Sequence, residues 1–84
     1  MKGTLTYMIH TFRPSEEIRK TFKDCVVQEI EPQTFQITAS VDVDPENPYK
    51  AMEEYQAETG EDCFEVFTIR TEDGKEYTEE EYED

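Results

Sequence analysis

Apolar side chains in this chain fall into short alternating runs separated by turn residues, which is the pattern of a folded α/β sequence. From Thr4 to Phe12 they alternate, with Leu5, Tyr7 and Ile9 on one face and Met8 and Phe12 on the other. That spacing predicts a central strand covered on both sides. Pro14 ends it. Ser15 followed by Glu16 and Glu17 then reads as an N-cap with acids in the first helical turn, where the backbone dipole favours them. Ile18 and Phe22, four apart, give this short helix one buried face, and Arg19, Lys20 and Lys23 occupy its last turn.

Cys25 to Ile30 reads as a second strand, Pro32-Gln33-Thr34 as a turn, and Phe35 to Val43 as a third strand. In that third strand Phe35, Ile37, Ala39, Val41 and Val43 alternate with Gln36, Thr38, Ser40 and Asp42, so one face is buried and the other wet. Asn47-Pro48 supplies an N-cap with proline at the first helical position, opening a helix that stops at Gly60. Tyr49, Met52 and Tyr55 or Gln56 mark its inner face. Cys63 to Arg70 is a fourth strand, and Asp73-Gly74 followed by Lys75-Glu76-Tyr77 reads as a tight turn and a short fifth strand.

The order is β-α-β-β-α-β plus a hairpin strand. It predicts one small α+β domain over residues 1–77: a split βαβ, ferredoxin-like antiparallel sheet, two helices on one face, and a short extra C-terminal strand. Residues 78–84 form an acidic tail, read as solvated and frayed although Thr78 and Glu81 have capping-box spacing. The first crossover is close to the minimum length for joining parallel strands. In this arrangement Cys25 and Cys63 lie too far apart to bridge, so two free thiols are expected.

Composition changes the picture in one respect. Leu, Ile, Val and Phe number 16 of 84 residues, just under the roughly 20% that signals disorder at high net charge; the alternation above outweighs that vote. Charge changes more. The chain holds 22 acidic and 8 basic side chains, a net −14. In residues 1–40, Lys2, Arg13, Arg19, Lys20 and Lys23 balance Glu16, Glu17, Asp24, Glu29 and Glu31. All of the net charge therefore sits in the second half. Such a balance repels phosphates and anionic membranes, so direct nucleic-acid or membrane binding is not expected. Without an apolar stretch for a signal or a span, the expected location is cytoplasmic.

Candidate chemistry is sparse. His10 stands opposite the Leu5, Tyr7, Ile9 face with no nucleophile or carboxylate beside it in sequence. Neither Cys25 nor Cys63 has a basic neighbour or a helix N-terminus to make it a nucleophile. Asp42, Asp44, Glu46 and Glu53 fall at positions 1, 3, 5 and 12 of a calcium-loop count, but Asn47 replaces the required glycine and Lys50 sits at position 9. No cofactor motif, catalytic triad or metal-ligand set is present. The expectation is a protein without enzymatic activity or cofactor.

What remains is the acidic surface. Acids at alternating strand positions lie about 6.6 Å apart, and acids one helical turn apart about 6 Å, spacings that imitate the phosphates of a nucleic-acid strand. The candidate partner-binding residues are Glu53, Glu54, Glu58, Glu61, Asp62, Glu65, Glu72, Asp73, Glu76, Tyr77, Glu79, Glu80, Glu81 and Tyr82. They would meet the cationic surface of a nucleic-acid-binding protein, with the tyrosines as anchors. In size, charge and lack of catalytic motifs the chain resembles the small acidic inhibitors that bacteriophages use against restriction enzymes, CRISPR effectors or DNA-repair enzymes. The resemblance implies a nucleic-acid mimic in a host cytoplasm. Two alternatives stand beside it: a regulatory domain that pairs through an exposed edge strand, Cys25 to Ile30, with acidity serving solubility, and a weak calcium-binding protein at Asp42 to Glu53.

Overall fold

A computed structural model of the chain describes residues 1–60 and 66–80. The elements are β1 (Lys2–His10), α1 (Ser15–Thr21), β2 (Val26–Glu31), β3 (Thr34–Asp42), α2 (Lys50–Thr59), β4 (Phe67–Thr71) and β5 (Glu76–Thr78). All five strands form one antiparallel sheet in the order β2-β3-β1-β4-β5. This is a small α+β domain. The connection through α1 steps from β1 over β3 to β2, and the one through α2 steps from β3 over β1 to β4. β1 is central, as its pattern predicts.

It is covered on one face only. Leu5, Tyr7 and Ile9 of β1, Phe35 and Ile37 of β3, and Phe67 and Ile69 of β4 are buried with Ile18 and Phe22 of the first crossover and Ala51 and Met52 of α2 in a single apolar cluster. The opposite face carries Thr4, Thr6, Gln36, Thr38 and Thr68, half-buried or exposed. The expectation of burial on both sides of β1 is therefore corrected. Met8 is half-buried and Phe12 is 88% exposed, because both described helices pack on the other face.

The helices differ from expectation at their starts. α1 is a true α-helix of seven residues, and it begins one residue early. Pro14 is its N-cap, and the Pro14 carbonyl accepts the Glu17 and Ile18 N–H groups at 3.0 and 3.1 Å. α2 starts at Lys50 with Tyr49 as N-cap and no side-chain cap, rather than at Asn47-Pro48. Asp44 and Asn47 pair as an isolated bridge, and the Asp44 carboxylate accepts the Glu46 N–H at 2.9 Å. The asparagine is thus spent on a turn before the helix begins. The other end of α2 is as read: Gly60 at φ 77° closes it with its N–H on the Gln56 carbonyl.

The two hairpins have different joints. Pro32 and Gln33 form a two-residue turn between β2 and β3, with Gln33 at φ 70°. β4 and β5 are joined by residues 72–75 rather than by a two-residue turn. There the Thr71 N–H reaches the Lys75 carbonyl at 2.9 Å, and Gly74 takes φ 89°. Thr78 belongs to β5, paired with Thr68. Glu79 and Glu80 have helical backbone. The tail beyond residue 80 and the first part of the expected fourth strand, 61–65 with Cys63, lie outside the described residues; Cys25 is a free thiol.

Two substitutions test this packing. A Cβ on Gly3 would lie 2.7 Å from the Arg70 carbonyl oxygen and 2.8 Å from a Val43 methyl. Gly3→Ala should therefore destabilise by about 1–3 kcal/mol in urea unfolding, since the backbone of β4 is held by its own ladder. At Gln33 the left-handed backbone makes Gln33→Val cost about 1–2 kcal/mol, while Gln33→Gly should leave the unfolding midpoint unchanged or raised.

Candidate functional site

The second-half acids that are described group around α2 and the last hairpin. Glu53, Glu54 and Glu58 are exposed on α2 because Ala51 and Met52 turn its apolar stripe onto the sheet. Glu54 is paired with Lys50 at 3.8 Å, both side chains being more than half exposed. Such a pair holds little energy, and its lysine-first order along the helix is the weaker one. Glu58 stands in the last turn, where the backbone dipole favours cations, and that turn contains no basic residue. Helix stability does not account for an acid there.

Glu72 and Asp73 are exposed in the turn between β4 and β5. Asp73 is built into that turn: its carboxylate accepts the Thr71 hydroxyl and, at 3.3 Å, the Lys75 N–H. The Thr71 hydroxyl holds the Asp73 carboxyl below its ordinary 3.8; desolvation, the next strongest influence, opposes it, and the Lys75 N–H and ammonium add smaller lowering effects. Glu76 meets Arg70 at 3.1 Å across the strands. Glu79 is half-buried and Glu80 exposed in the turn after β5. The remaining expected partner-binding residues, Glu61, Asp62, Glu65, Glu81 and Tyr82, lie outside the described residues.

Tyr77 is not a freely projecting anchor. It is half-buried against the core, with its ring edge-on to Tyr49 at 6.0 Å. Tyr49 in turn packs edge-on to Phe67 at 6.0 Å and donates its hydroxyl to the Thr78 carbonyl at 3.1 Å, which ties the start of α2 to the last hairpin. Tyr55 fastens the middle of the helix. Its hydroxyl lies 2.7 Å from that of Tyr7 and 3.8 Å from the Cys25 sulfur, with the two rings edge-on. These tyrosines hold the acidic helix in place.

The uncovered sheet face has the opposite character. Strand alternation puts Lys2 and Arg70 there with Glu31, Asp42 and Glu76, two cations against three acids, among threonine and glutamine. The Thr6 and Thr38 hydroxyls are 3.3 Å apart at its centre. Every aromatic residue within the described strands, Tyr7, Phe35, Phe67 and Tyr77, points to the core side. The described strands thus offer no aromatic platform on the open face for unpaired bases to stack on, and the exposed Phe12 lies beyond the end of β1.

The other sequence candidates are placed as follows. His10 is exposed, with Nδ1 3.1 Å from the Thr34 hydroxyl. Asp42, Asp44, Glu46 and Glu53 do not converge: among the described residues no three histidine, cysteine or acidic side chains are placed to hold a metal. The carboxylate of Asp44 is folded onto its own turn, and Glu53 is carried away on the helix. The expected edge, Cys25 to Ile30, corresponds to β2 (Val26–Glu31), which lies at one edge of the sheet with Val26 68% and Ile30 44% exposed. Sequence reasoning missed that the Arg19 guanidinium covers part of it, donating to the Val27 carbonyl at 3.2 Å. Among the described residues no helix is long and apolar enough to cross a membrane.

No family model, no curated protein and no solved structure matches the chain.

Titration tests the turn. A depressed carboxyl adds stability that is complete above its unfolded value and disappears as the pH falls through its folded value. The stabilities of the protein and its Asp73→Asn variant, measured by urea unfolding across a pH series, should therefore differ above pH 3.8 and converge as the pH drops below it.

Proposed function

We propose that this chain is a non-enzymatic protein-binding inhibitor, of the phage type, whose acidic side occupies the cationic groove of a DNA- or RNA-binding enzyme in a host cytoplasm. One observation carries this reading: the charge is segregated. The open sheet face sets two cations against three acids, while Glu53, Glu54, Glu58, Glu72, Asp73 and Glu80 are exposed on α2, the last turn and the segment after β5. Acidity that served only solubility would have no reason to thin out on one face and to enter the last turn of α2. His10 and Cys25 meet hydroxyl groups, partners that orient a side chain rather than activate it. The strand order β4-β1-β3-β2, with each crossover stepping over one strand, supports classing the core as a split βαβ, ferredoxin-like arrangement with β5 added. That fold hosts many functions and does not choose among them.

A second reading is a regulatory domain that pairs through β2, supported by the exposure of Val26 and Ile30 on that edge.

Competition decides between them. With a panel of restriction, CRISPR and repair enzymes, the first reading expects one enzyme to lose DNA or guide-RNA binding as the protein is added, with affinity falling as salt rises. Replacing Glu53, Glu54 and Glu58 by glutamine should weaken that inhibition by about tenfold or more. Binding that leaves the enzyme's affinity for nucleic acid unchanged sinks the mimic reading. Binding that survives the glutamine changes and fails when Val26 and Ile30 become lysine supports the edge strand.

A further inference from the structure

β2 is shorter than the strand it pairs with, and among the described residues this leaves a vacancy in the sheet. β3 runs from Thr34 to Asp42, but β2 accompanies it only from Thr34 to Thr38. The direction of the backbone groups beyond Thr38 follows from the ladder on the other side. The Val43 N–H binds the Met1 carbonyl and the Thr11 N–H binds the Gln33 carbonyl, so odd-numbered residues of β3 bond toward β1. Even-numbered residues bond outward. Thr34, Gln36 and Thr38 therefore face β2, and the N–H and C=O of Ser40 and of Asp42 face the empty place beyond its end. Among the described residues no backbone hydrogen bond reaches that side of Ser40 or Asp42.

The vacancy is also a groove. Val41, Ala51 and Tyr55 floor a space of about 230 Å³ between β3 and α2, with Ser40 and Asp42 along one wall and Glu54 and Glu58 along the other. A second space of about 260 Å³ continues it past Val43 and Asp44 toward Lys50, whose ammonium lies 3.8 Å from Glu54.

We infer that this vacancy is a docking site for an extended, arginine- or lysine-bearing segment of a partner protein. The segment adds a short strand beside Ser40–Asp42, in line with β2. Its backbone bonds the outward groups of Ser40 and Asp42. Side chains on its inner face lay their aliphatic stems over Val41 and Tyr55 and bring their cationic heads to Glu54 and Glu58. Charge complementarity selects this occupant over a second copy of the chain. Two copies joined edge to edge would bring Asp42, Glu54 and Glu58 of each against those of the other, and like charges across a pairing are unfavourable. The site lies on a different edge from the exposed outer side of β2, and it stands whether or not the partner binds nucleic acid.

The test uses the full chain and a short peptide of alternating threonine and arginine, with amide exchange followed residue by residue. The expected result is slowed exchange at Ser40 and Asp42 on adding peptide, by about tenfold or more, with no change along β2. The same peptide N-methylated on alternate backbone nitrogens keeps its charge and should lose the protection. Ser40→Pro should also abolish it while leaving the unfolding midpoint near that of the parent, because the Ser40 N–H points away from β1. Glu58→Gln should weaken binding several-fold and flatten its salt dependence. Several results overturn the inference: no slowing at Ser40 and Asp42 at millimolar peptide, equal binding of the N-methylated peptide, or protection already present without peptide that rises with protein concentration. An acidic surface acting only by electrostatic attraction gives the second of these, so loss of this site and loss of the mimic reading are told apart.

Discussion

Leu5, Tyr7 and Ile9 lie between the side chains of β3 and β4 and beneath both crossovers, and the rest of the molecule is arranged around their burial. A chain of 84 residues has enough apolar side chain for one such layer. Because β1 pairs along its whole length with β3 and along half of it with β4, its alternation fixes which face of the sheet is dry. Every later choice follows from that. The helices must both sit on the dry side, and the opposite face must be polar.

The acids on α2 are displayed by contacts made on its other side. Tyr55 reaches Tyr7 at the centre of the sheet, and Tyr49 reaches Phe67, Tyr77 and the backbone of Thr78. A buried hydroxyl that finds its partner costs little, whereas an unpaired one would cost about 1–3 kcal/mol, so these tyrosines set the helix in one orientation. Glu53, Glu54 and Glu58 then project outward as a consequence of where the aromatic rings are satisfied. Electrostatics and packing are joined at this point: the same helix that closes the core carries the charge.

Edges show a second consequence of size. β5 is three residues long and β2 is bulged between Glu29 and Glu31, while Arg19 reaches across to the Val27 carbonyl. Short strands, a bulge and a cation over the backbone are the usual protections against unwanted pairing. The last residues of β3 have none of these. Their surroundings are acidic instead, which discourages self-pairing and leaves the backbone open to a cationic strand.

Much of this was legible in the chain itself. Alternation along Phe35 to Val43, the four-residue spacing of Ile18 and Phe22, and Gly60 as a helix stop are local signals, and local physics honours them. The confinement of the −14 to the second half is likewise a property of the sequence alone. Other features belong to the tertiary structure. Asn47 has the side chain of a helix cap, but its backbone is held in a bridge with Asp44 and the helix begins only at Lys50. Phe12 and Met8 read as a second buried face, and only the placement of both described helices on the other side shows that they are left uncovered. Tyr77 sits in an acidic stretch by sequence and against the core in space. The vacancy beside Ser40 and Asp42 is the clearest case. No residue there signals it, because it arises from where the first crossover delivers β2 against β3, a register that two distant segments settle together.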